Sequence, residues 1–519
     1  MATNGTGRLI VLGMKVGDPA SIERWAAEGH LPVIRSIMDR GCHGRLAGRE
    51  RICEHGSATT VFSGVPADRH GYYYFRQLVP GSYRLAPFGA GQVDARPFWA
   101  RPDVFPGSVA VIDAPETAPA AGVKGHQLVN WCFHQADLNI APHASEPPEL
   151  LDEVRRRFGE PPDILGDTAN GTPDEDRRDL DRFLRSVRTK GELCRHVASL
   201  GEPDLVIAAF DESHTASHRY WRYRPEAANG GAQDEALRNA IRSVYQAIDR
   251  EFGLLLEQVG EGANIVLFTL FGMQDQYPTE GLNESLCRAL GYQARKGASP
   301  GRPRAIDVAR RVIPESWRAA LSKRLPGGRQ EALLADLFAS GTDWERTRAF
   351  SLPSLYTGFI RVNLCGREPA GIVEPEDYGK VLDGLESDLR RLEDAETGEP
   401  VIDSVIRTVE AFGGGPPERL PDLFVEWRAG NRLLECVRHP RGEFRQRRPS
   451  FCPGSEETLE GFVAAAGPDV GGRGGIGDMA PVDFAPTLLA LLGSPAPPDM
   501  PGRPHAFLLD AARPSQVLR

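Results

Sequence analysis

The chain has 519 residues, of which 41% are hydrophobic and 25% are charged. This composition is usual for a globular protein and provides for a large core. The formal net charge is -10, so the chain has no general electrostatic attraction to nucleic acid or anionic lipid. We therefore expect no nucleic-acid partner and no membrane partner, and an anionic substrate would need a local cationic site.

Hydropathy and cysteine usage predict a cytoplasmic protein. The first apolar run, Leu9–Leu12, is far shorter than the hydrophobic region of a secretory signal. No stretch of the sequence approaches the ~20 apolar residues of a membrane span. The eight cysteines form no CxxC pair, which favours reduced thiols.

Short apolar runs alternate with longer amphipathic segments along the chain. The first run is followed, after Gly17-Asp18-Pro19, by a predicted helix from about Ser21 to Arg40, with Ser21 as its cap. Further buried strands are predicted at Val109–Ile112, Leu205–Phe210, Ile265–Leu270, Leu423–Trp427 and Phe462–Ala466. Helices are predicted at Arg182–Leu200, Asn239–Val259, Tyr378–Leu392 and Pro486–Leu492. This alternation predicts a three-layer α/β fold with a largely parallel central sheet between helices.

Two segments depart from this alternation. Residues from 76 to about 170 are rich in Pro, Gly and Ala, and residues 285–345 are basic with a helical pattern. We interpret both as insertions that form a cap over a cleft, within a single domain that spans residues 1–519.

Five separated segments resemble, in order, the type I phosphodiesterase and nucleotide pyrophosphatase branch of the alkaline phosphatase superfamily. They are VLGMKVGDPASIERWAAEGHLPVI from Val11, ATTVFSGVPADRHGYYYF from Ala58, PDLVIAAFDESHTASHRYW from Pro203, AFSLPSLYTGFIRVNLCGREPAGIVEP from Ala349 and VDFAPTLLALLGSPAPPDMPGRP from Val482. The resemblance covers nearly the whole chain and implies an alkaline-phosphatase-like fold. It also implies two metals at the carboxyl ends of the strands, where a Thr or Ser attacks phosphorus.

Most of the residues that this family uses at its site are replaced here. The position of the first metal-binding Asp is Lys15, and the position of the nucleophile is Glu54. The Asp and His of the next motif are His214 and His218. The Asp-His pair that follows is Leu270-Phe271, and the last His ligand falls on Glu457.

Sorted by metal, these replacements form a pattern. At one of the two metal sites of the family, the ligands are lost and the ammonium of Lys15 is gained. The other has become His214, His218 and Glu457, two imidazoles and a carboxylate that suit Zn(II) or a non-haem Fe(II) centre, with Mn(II) as a further candidate. Because the register before Gly461 has no strong anchor, Glu456, Glu460 and the more distant His439 are alternatives to Glu457.

Glu54 and Lys15 are the candidate catalytic residues. A carboxylate cannot replace the hydroxyl that normally accepts the phosphoryl group, although it can act as a nucleophile, a general base or a fourth metal ligand. An unpaired buried carboxylate is costly, so an ion pair between Glu54 and Lys15 is an equal alternative.

Three hypotheses follow for the function. The first is an enzyme with one divalent metal that acts on a small organic molecule, as a hydrolase or an oxygenase. The second is a non-catalytic descendant in which Lys15 replaces the metal. The third is a conventional phosphodiester or phosphomonoester hydrolase, which the missing hydroxyl and second metal disfavour. The sequence leaves the oligomeric state open.

Overall fold

The computed structural model describes residues 7–48, 55–132, 142–162, 171–227, 234–296, 338–446, 448–449 and 452–505. Within these ranges, no helix has both the length and the apolar character needed to cross a membrane. Most of the predicted insertion at 285–345 lies outside the described residues, as does Glu54.

Nineteen strands are present in the described part of the chain. They are β1 (Leu9–Val16), β2 (Cys42–Leu46), β3 (Arg76–Leu78), β4 (Leu85–Pro87), β5 (Val109–Ile112), β6 (Gly125–Val129), β7 (Ala144–Glu146), β8 (Leu205–Phe210), β9 (Asn264–Asp275), β10 (Ala349–Leu352), β11 (Gly358–Val362), β12 (Glu393–Asp394), β13 (Ile402–Arg407), β14 (Leu423–Trp427), β15 (Cys436–His439), β16 (Gly442–Arg445), β17 (Ser455–Thr458), β18 (Gly461–Ala466) and β19 (Gly474–Met479).

Thirteen α-helices accompany them in the same ranges. They are α1 (Pro19–Ala27), α2 (Pro32–Arg40), α3 (Ser57–Ser63), α4 (Ala67–His70), α5 (Glu149–Phe158), α6 (Pro173–Ala198), α7 (Glu212–Tyr220), α8 (Glu235–Arg238), α9 (Ala240–Val259), α10 (Glu280–Ala289), α11 (Tyr378–Leu389), α12 (Thr408–Phe412) and α13 (Pro481–Leu491).

A ten-stranded sheet organises the molecule, in the order β19-β2-β18-β9-β1-β8-β5-β6-β7, with β17 paired to the end of β9. The strands β9, β1, β8, β5 and β6 run parallel, while β18 and β7 are antiparallel to their neighbours. Both faces are covered, and so every residue of β1 is buried. This confirms the predicted α/β fold with a large central sheet between helices.

The two faces of β1 belong to two separate cores. Ile10, Leu12 and Met14 pack in one core with residues of α6 and α9. Leu9 and Val11 pack in the other with residues of α3 and α13. The alternation of side chains along a strand produces this division, because successive residues point to opposite faces.

The predicted long helix from Ser21 to Arg40 is wrong, because the structure has two helices there. Helix α1 ends before Gly29, which has a φ of 82°, and α2 begins at Pro32. Glycine readily adopts this left-handed conformation, and proline suits the first turn of a new helix. The cap of α1 is Asp18, whose carboxylate accepts a hydrogen bond of 2.9 Å from the backbone N–H of Ser21.

A second sheet has four antiparallel strands in the order β10-β11-β14-β13, and in the chain it lies between β9 and β17 of the central sheet. It has its own apolar core with α10 and α11. Within the other predicted insertion, β5, β6 and β7 form one edge of the central sheet. The capping role of the two insertions stays a prediction.

Candidate metal centre

Three elements bring the predicted ligands together at the carboxyl end of the parallel strands. Strand β8 leads into α7, which carries His214 and His218 four residues apart and therefore on one face of the helix. Strand β17 carries Glu457, which pairs with Met273 near the end of β9. Lys15 lies near the end of β1, between β8 and β9 in the sheet.

The side chains of these four residues are in contact. His214 Nε2 lies 3.2 Å from Glu457 Oε1. Lys15 Nζ lies 3.8 Å from the same oxygen and 3.5 Å from His214 Nδ1. The rings of His214 and His218 meet edge to face with their centroids 4.8 Å apart. One ligand atom from each of His214, His218 and Glu457 lies within 4.8 Å of the others.

The contacts of Nδ1 in His214 and His218 indicate which ring nitrogen of each residue is available to a metal ion. His218 Nδ1 lies 3.1 Å from the hydroxyl oxygen of Ser455. His214 Nδ1 lies on the side of Lys15 and of Asp211, whose Oδ1 is 3.7 Å away. Metal-binding histidines commonly donate the proton of their second nitrogen to an oxygen, a role open to Ser455 and Asp211 here but not to the Lys15 ammonium. Nε2 is therefore the ligand atom that each ring would offer.

Glu457 is held in its charged form. Burial acts to raise the pKa of Glu457, but the Lys15 ammonium and the imidazoles of His214 and His218 outweigh it and hold this pKa well below the usual range. A carboxylate at neutral pH and two imidazoles suit a borderline or hard divalent metal. The donor set fits such an ion, while the ammonium of Lys15 would compete with it for Glu457.

Glu116 is a further carboxyl group near this cluster that sequence reasoning missed. It is buried, has a left-handed φ of 51°, and its Oε2 accepts a hydrogen bond of 2.9 Å from the backbone N–H of Gly56. Burial raises the pKa of Glu116 to about 7, against the opposing effect of the Lys15 ammonium. The sequence signal that could have identified Glu116 is its position four residues after β5. In parallel sheets, binding sites form from side chains just beyond the carboxyl ends of the strands.

A buried group of three charges supports the helix that carries the histidines. Lys190 Nζ, on α6, lies 2.5 Å from Asp113 Oδ2 and 3.8 Å from Glu212 Oε2. Glu212 is the first residue of α7, and its Oε1 accepts a hydrogen bond of 2.9 Å from the hydroxyl of Ser186. This group therefore joins α6, the end of β5 and the start of α7.

The residues considered as alternatives to Glu457 for the third metal ligand make contacts elsewhere. Glu460 Oε1 lies 3.9 Å from Arg45 Nε, and His439 Nε2 lies 3.6 Å from Asp388 Oδ1. Glu456 is opposite Gln274 in the β17–β9 ladder, and so it precedes Glu457 on the other face of the strand. Neither Glu460 nor His439 belongs to the cluster, and the pairing of Glu54 with Lys15 stays a prediction.

Solved structures that are similar to this chain over almost their full length include those of two proteins. Phosphonoacetate hydrolase from Sinorhizobium meliloti, in complexes with phosphonoformate and phosphonoacetate, is 12% identical, with TM-scores of 0.47 and 0.48 and coverage of 94% of this chain and 95% of that one. Mouse ectonucleotide pyrophosphatase/phosphodiesterase 5 is 11% identical, with a TM-score of 0.45 and coverage of 95% and 96%. Both are members of the alkaline phosphatase superfamily. No protein-family model and no curated protein matches the chain.

Proposed function

We propose that this protein is an enzyme that uses one divalent metal, bound by His214, His218 and Glu457, to act on a small organic molecule in the cytoplasm. The observation that carries the proposal is the convergence of these three ligand atoms within 4.8 Å. Bound there, Zn(II), Fe(II) or Mn(II) would supply Lewis-acid activation to a hydrolase, and iron would supply a redox-active open position to an oxygenase.

The residues around the ligands orient them. Lys15 Nζ donates toward His214 Nδ1, so the proton of this ring lies on Nε2, directed at Glu457 Oε1. An ion could bind this Nε2 only if the ring proton moved to Nδ1, on the side of Asp211. Protons would compete with the ion for the imidazoles, and so its affinity would fall as the pH is lowered. Glu116, buried near Lys15 with a pKa of about 7, suits proton transfer at neutral pH. The catalytic roles of Lys15 and Glu54 belong to the same proposal.

Metal analysis of the purified protein tests the proposal directly. After reconstitution with Zn(II), Fe(II) or Mn(II), we expect the wild-type chain to retain about one ion. His214→Ala and His218→Ala are expected to lose it, because each removes one of only three ligands. His126→Ala, a half-buried histidine on β6, is the matched control and is expected to retain the ion. A folded wild-type chain without a stoichiometric ion would overturn the proposal.

A non-catalytic protein is the second candidate, and the contacts of Lys15 favour it. The ammonium lies within 4 Å of both Glu457 and His214, where it can neutralise the carboxylate without a metal. In that case the cluster is a structural ion pair, and Lys15 contributes to stability instead of competing with a metal ion for Glu457.

Lys15→Met separates these two candidates. If the cluster binds a metal, we expect the affinity to rise at least tenfold, because a cation 3.8 Å from Glu457 Oε1 repels a second cation. Lys15→Arg keeps the charge and is expected to leave the affinity low. Competition with a chelator of known affinity measures this change. A loss of folding stability in Lys15→Met without any metal binding would favour the structural ion pair.

A further inference from the structure

The groups that contact Nδ1 of the two candidate histidine ligands differ in their hydrogen-bonding capacity. His214 Nδ1 lies 3.5 Å from the Lys15 ammonium and 3.7 Å from Asp211 Oδ1. His218 Nδ1 lies 3.1 Å from the hydroxyl oxygen of Ser455. All five residues are buried. Protein groups therefore decide which nitrogen of each ring carries the proton.

In the arrangement that the structure shows, the proton of His214 belongs on Nε2. An ammonium group has donors and no acceptor, so its contact with His214 Nδ1 requires a lone pair on that nitrogen. The proton on Nε2 is then directed at Glu457 Oε1, 3.2 Å away. This tautomer has no lone pair on Nε2 and cannot offer that nitrogen to a metal.

The same tautomer is favoured at His218 for an electrostatic reason. The hydroxyl of Ser455 can rotate, so it can either donate to His218 Nδ1 or accept from it. The carboxylate of Glu457 decides between these two, because it lies within 4.8 Å of the candidate ligand atom of His218. Negative charge attracts an N–H group and repels a lone pair. His218 is therefore also expected to carry its proton on Nε2.

A bound ion requires the opposite tautomer of both rings. Each Nε2 must then offer a lone pair, so each ring proton must lie on Nδ1. Lys15 cannot accept such a proton, whereas the carboxylate of Asp211 is an acceptor beside the same nitrogen. The flexible side chain of Lys15 allows its ammonium to withdraw without a change of the backbone. At His218, rotation of the Ser455 hydroxyl is sufficient.

We propose that Asp211 and Ser455 are positioning residues of the candidate metal centre. In the ion-bound protein, Asp211 accepts the Nδ1 proton of His214 and Ser455 accepts that of His218. In the metal-free protein, both rings hold this proton on Nε2 instead. Neither ring gains or loses a proton overall, because one leaves Nε2 and one is taken up at Nδ1. The proposal rests on the proposed function, since it concerns the ligands of the same ion.

Nuclear magnetic resonance of protein labelled with 15N-histidine tests this exchange without an assay of activity. Long-range proton–nitrogen correlations distinguish a protonated ring nitrogen from one with a lone pair, at a pH well above the usual histidine pKa of about 6.5. The signals of the two residues are those that His214→Ala and His218→Ala remove. We expect a protonated Nε2 in both rings of the metal-free protein. After loading with Zn(II), we expect a protonated Nδ1 in both.

The affinity for Zn(II), measured by competition with a chelator, tests the two positioning residues separately. Asp211→Asn removes the charge and Ser455→Ala removes the oxygen that hold an Nδ1 proton, so each is expected to weaken binding about 10- to 100-fold. Ser455→Thr keeps the hydroxyl and is expected to retain the affinity. Ser351→Ala is the matched control. It removes another buried hydroxyl, which bonds to Leu352 O on β10, and is expected to leave the affinity unchanged.

The wild-type spectra decide the tautomers even if a variant does not fold. The same protonated nitrogens with and without Zn(II) would overturn the proposal, as would wild-type affinity in both Asp211→Asn and Ser455→Ala. Either result in a chain that binds an ion rejects the positioning roles alone. A chain that binds no ion rejects the proposed function and the positioning roles with it.

Discussion

Replacing Lys190 with methionine is expected to reduce the free energy of unfolding by about 3–5 kcal/mol, because it leaves buried carboxylates without their cation. Lys190 is 1% exposed, and its ammonium lies 2.5 Å from Asp113 and 3.8 Å from Glu212. Methionine fills a similar volume, so the loss reports the charge. Chemical denaturation followed by circular dichroism measures it.

Neutral variants of the partners test the cause of this loss. Adding Asp113→Asn and Glu212→Gln to Lys190→Met is expected to recover part of the stability, because no unpaired charge then remains buried. Lys380→Met removes an exposed lysine that pairs with Asp377 at the surface, and is expected to change stability by less than about 1 kcal/mol. Similar losses in Lys190→Met and Lys380→Met would contradict the assigned role of the buried group.

Glu212 is the first residue of α7. The Lys190→Met variant is therefore also expected to affect the candidate site. Helix α7 carries His214 and His218 and is buried over most of its length. A shift of its first turn would move both imidazoles relative to Glu457 on β17. The charged group at the base of α7 therefore links the stability of the fold to the geometry of the candidate ligands.

The central fold was predictable from the sequence because of how its strands are buried. Val109–Ile112, Leu205–Phe210 and Leu423–Trp427 are observed with their predicted bounds. Strands covered on both faces appear as continuous apolar runs, and this signal does not depend on distant contacts. Helix ends depend on single residues, which is why Gly29 and Pro32 divided a segment predicted as one helix.

The candidate site was predictable only where a motif carried it. His214, His218 and Glu457 occupy positions marked by the resemblance to known motifs, and the structure brings them together. Lys15 contacts Glu457 across 442 residues of sequence, and no periodicity reports a contact over that separation. Glu116 and Lys190 lie outside these motifs, and only the folded chain shows that they are buried near the site.

Glu116 is expected to make the stability of the protein depend on pH between about 4.5 and 7. Burial raises the pKa of Glu116 from its usual 4.5 to about 7. Within this window the folded chain keeps a proton that the unfolded chain has released, so stability decreases as the pH rises. A shift of this size corresponds to about 3 kcal/mol, lost by pH 7.5 relative to pH 4.5.

Glu116→Gln is expected to remove this part of the pH dependence, because the amide is uncharged throughout the window. Its oxygen can still accept the hydrogen bond from Gly56. Denaturation curves at pH values from 4.5 to 7.5 compare the variant with the wild type and with Glu261→Gln, which replaces an exposed carboxyl. Titrating groups that do not interact with Glu116 contribute equally to all three proteins, so the difference between the curves reports Glu116 together with its interactions with Lys15 and Glu457. Parallel curves for wild type and Glu116→Gln would show that the pKa of Glu116 is not raised in the folded chain, which would remove it as a proton carrier at neutral pH.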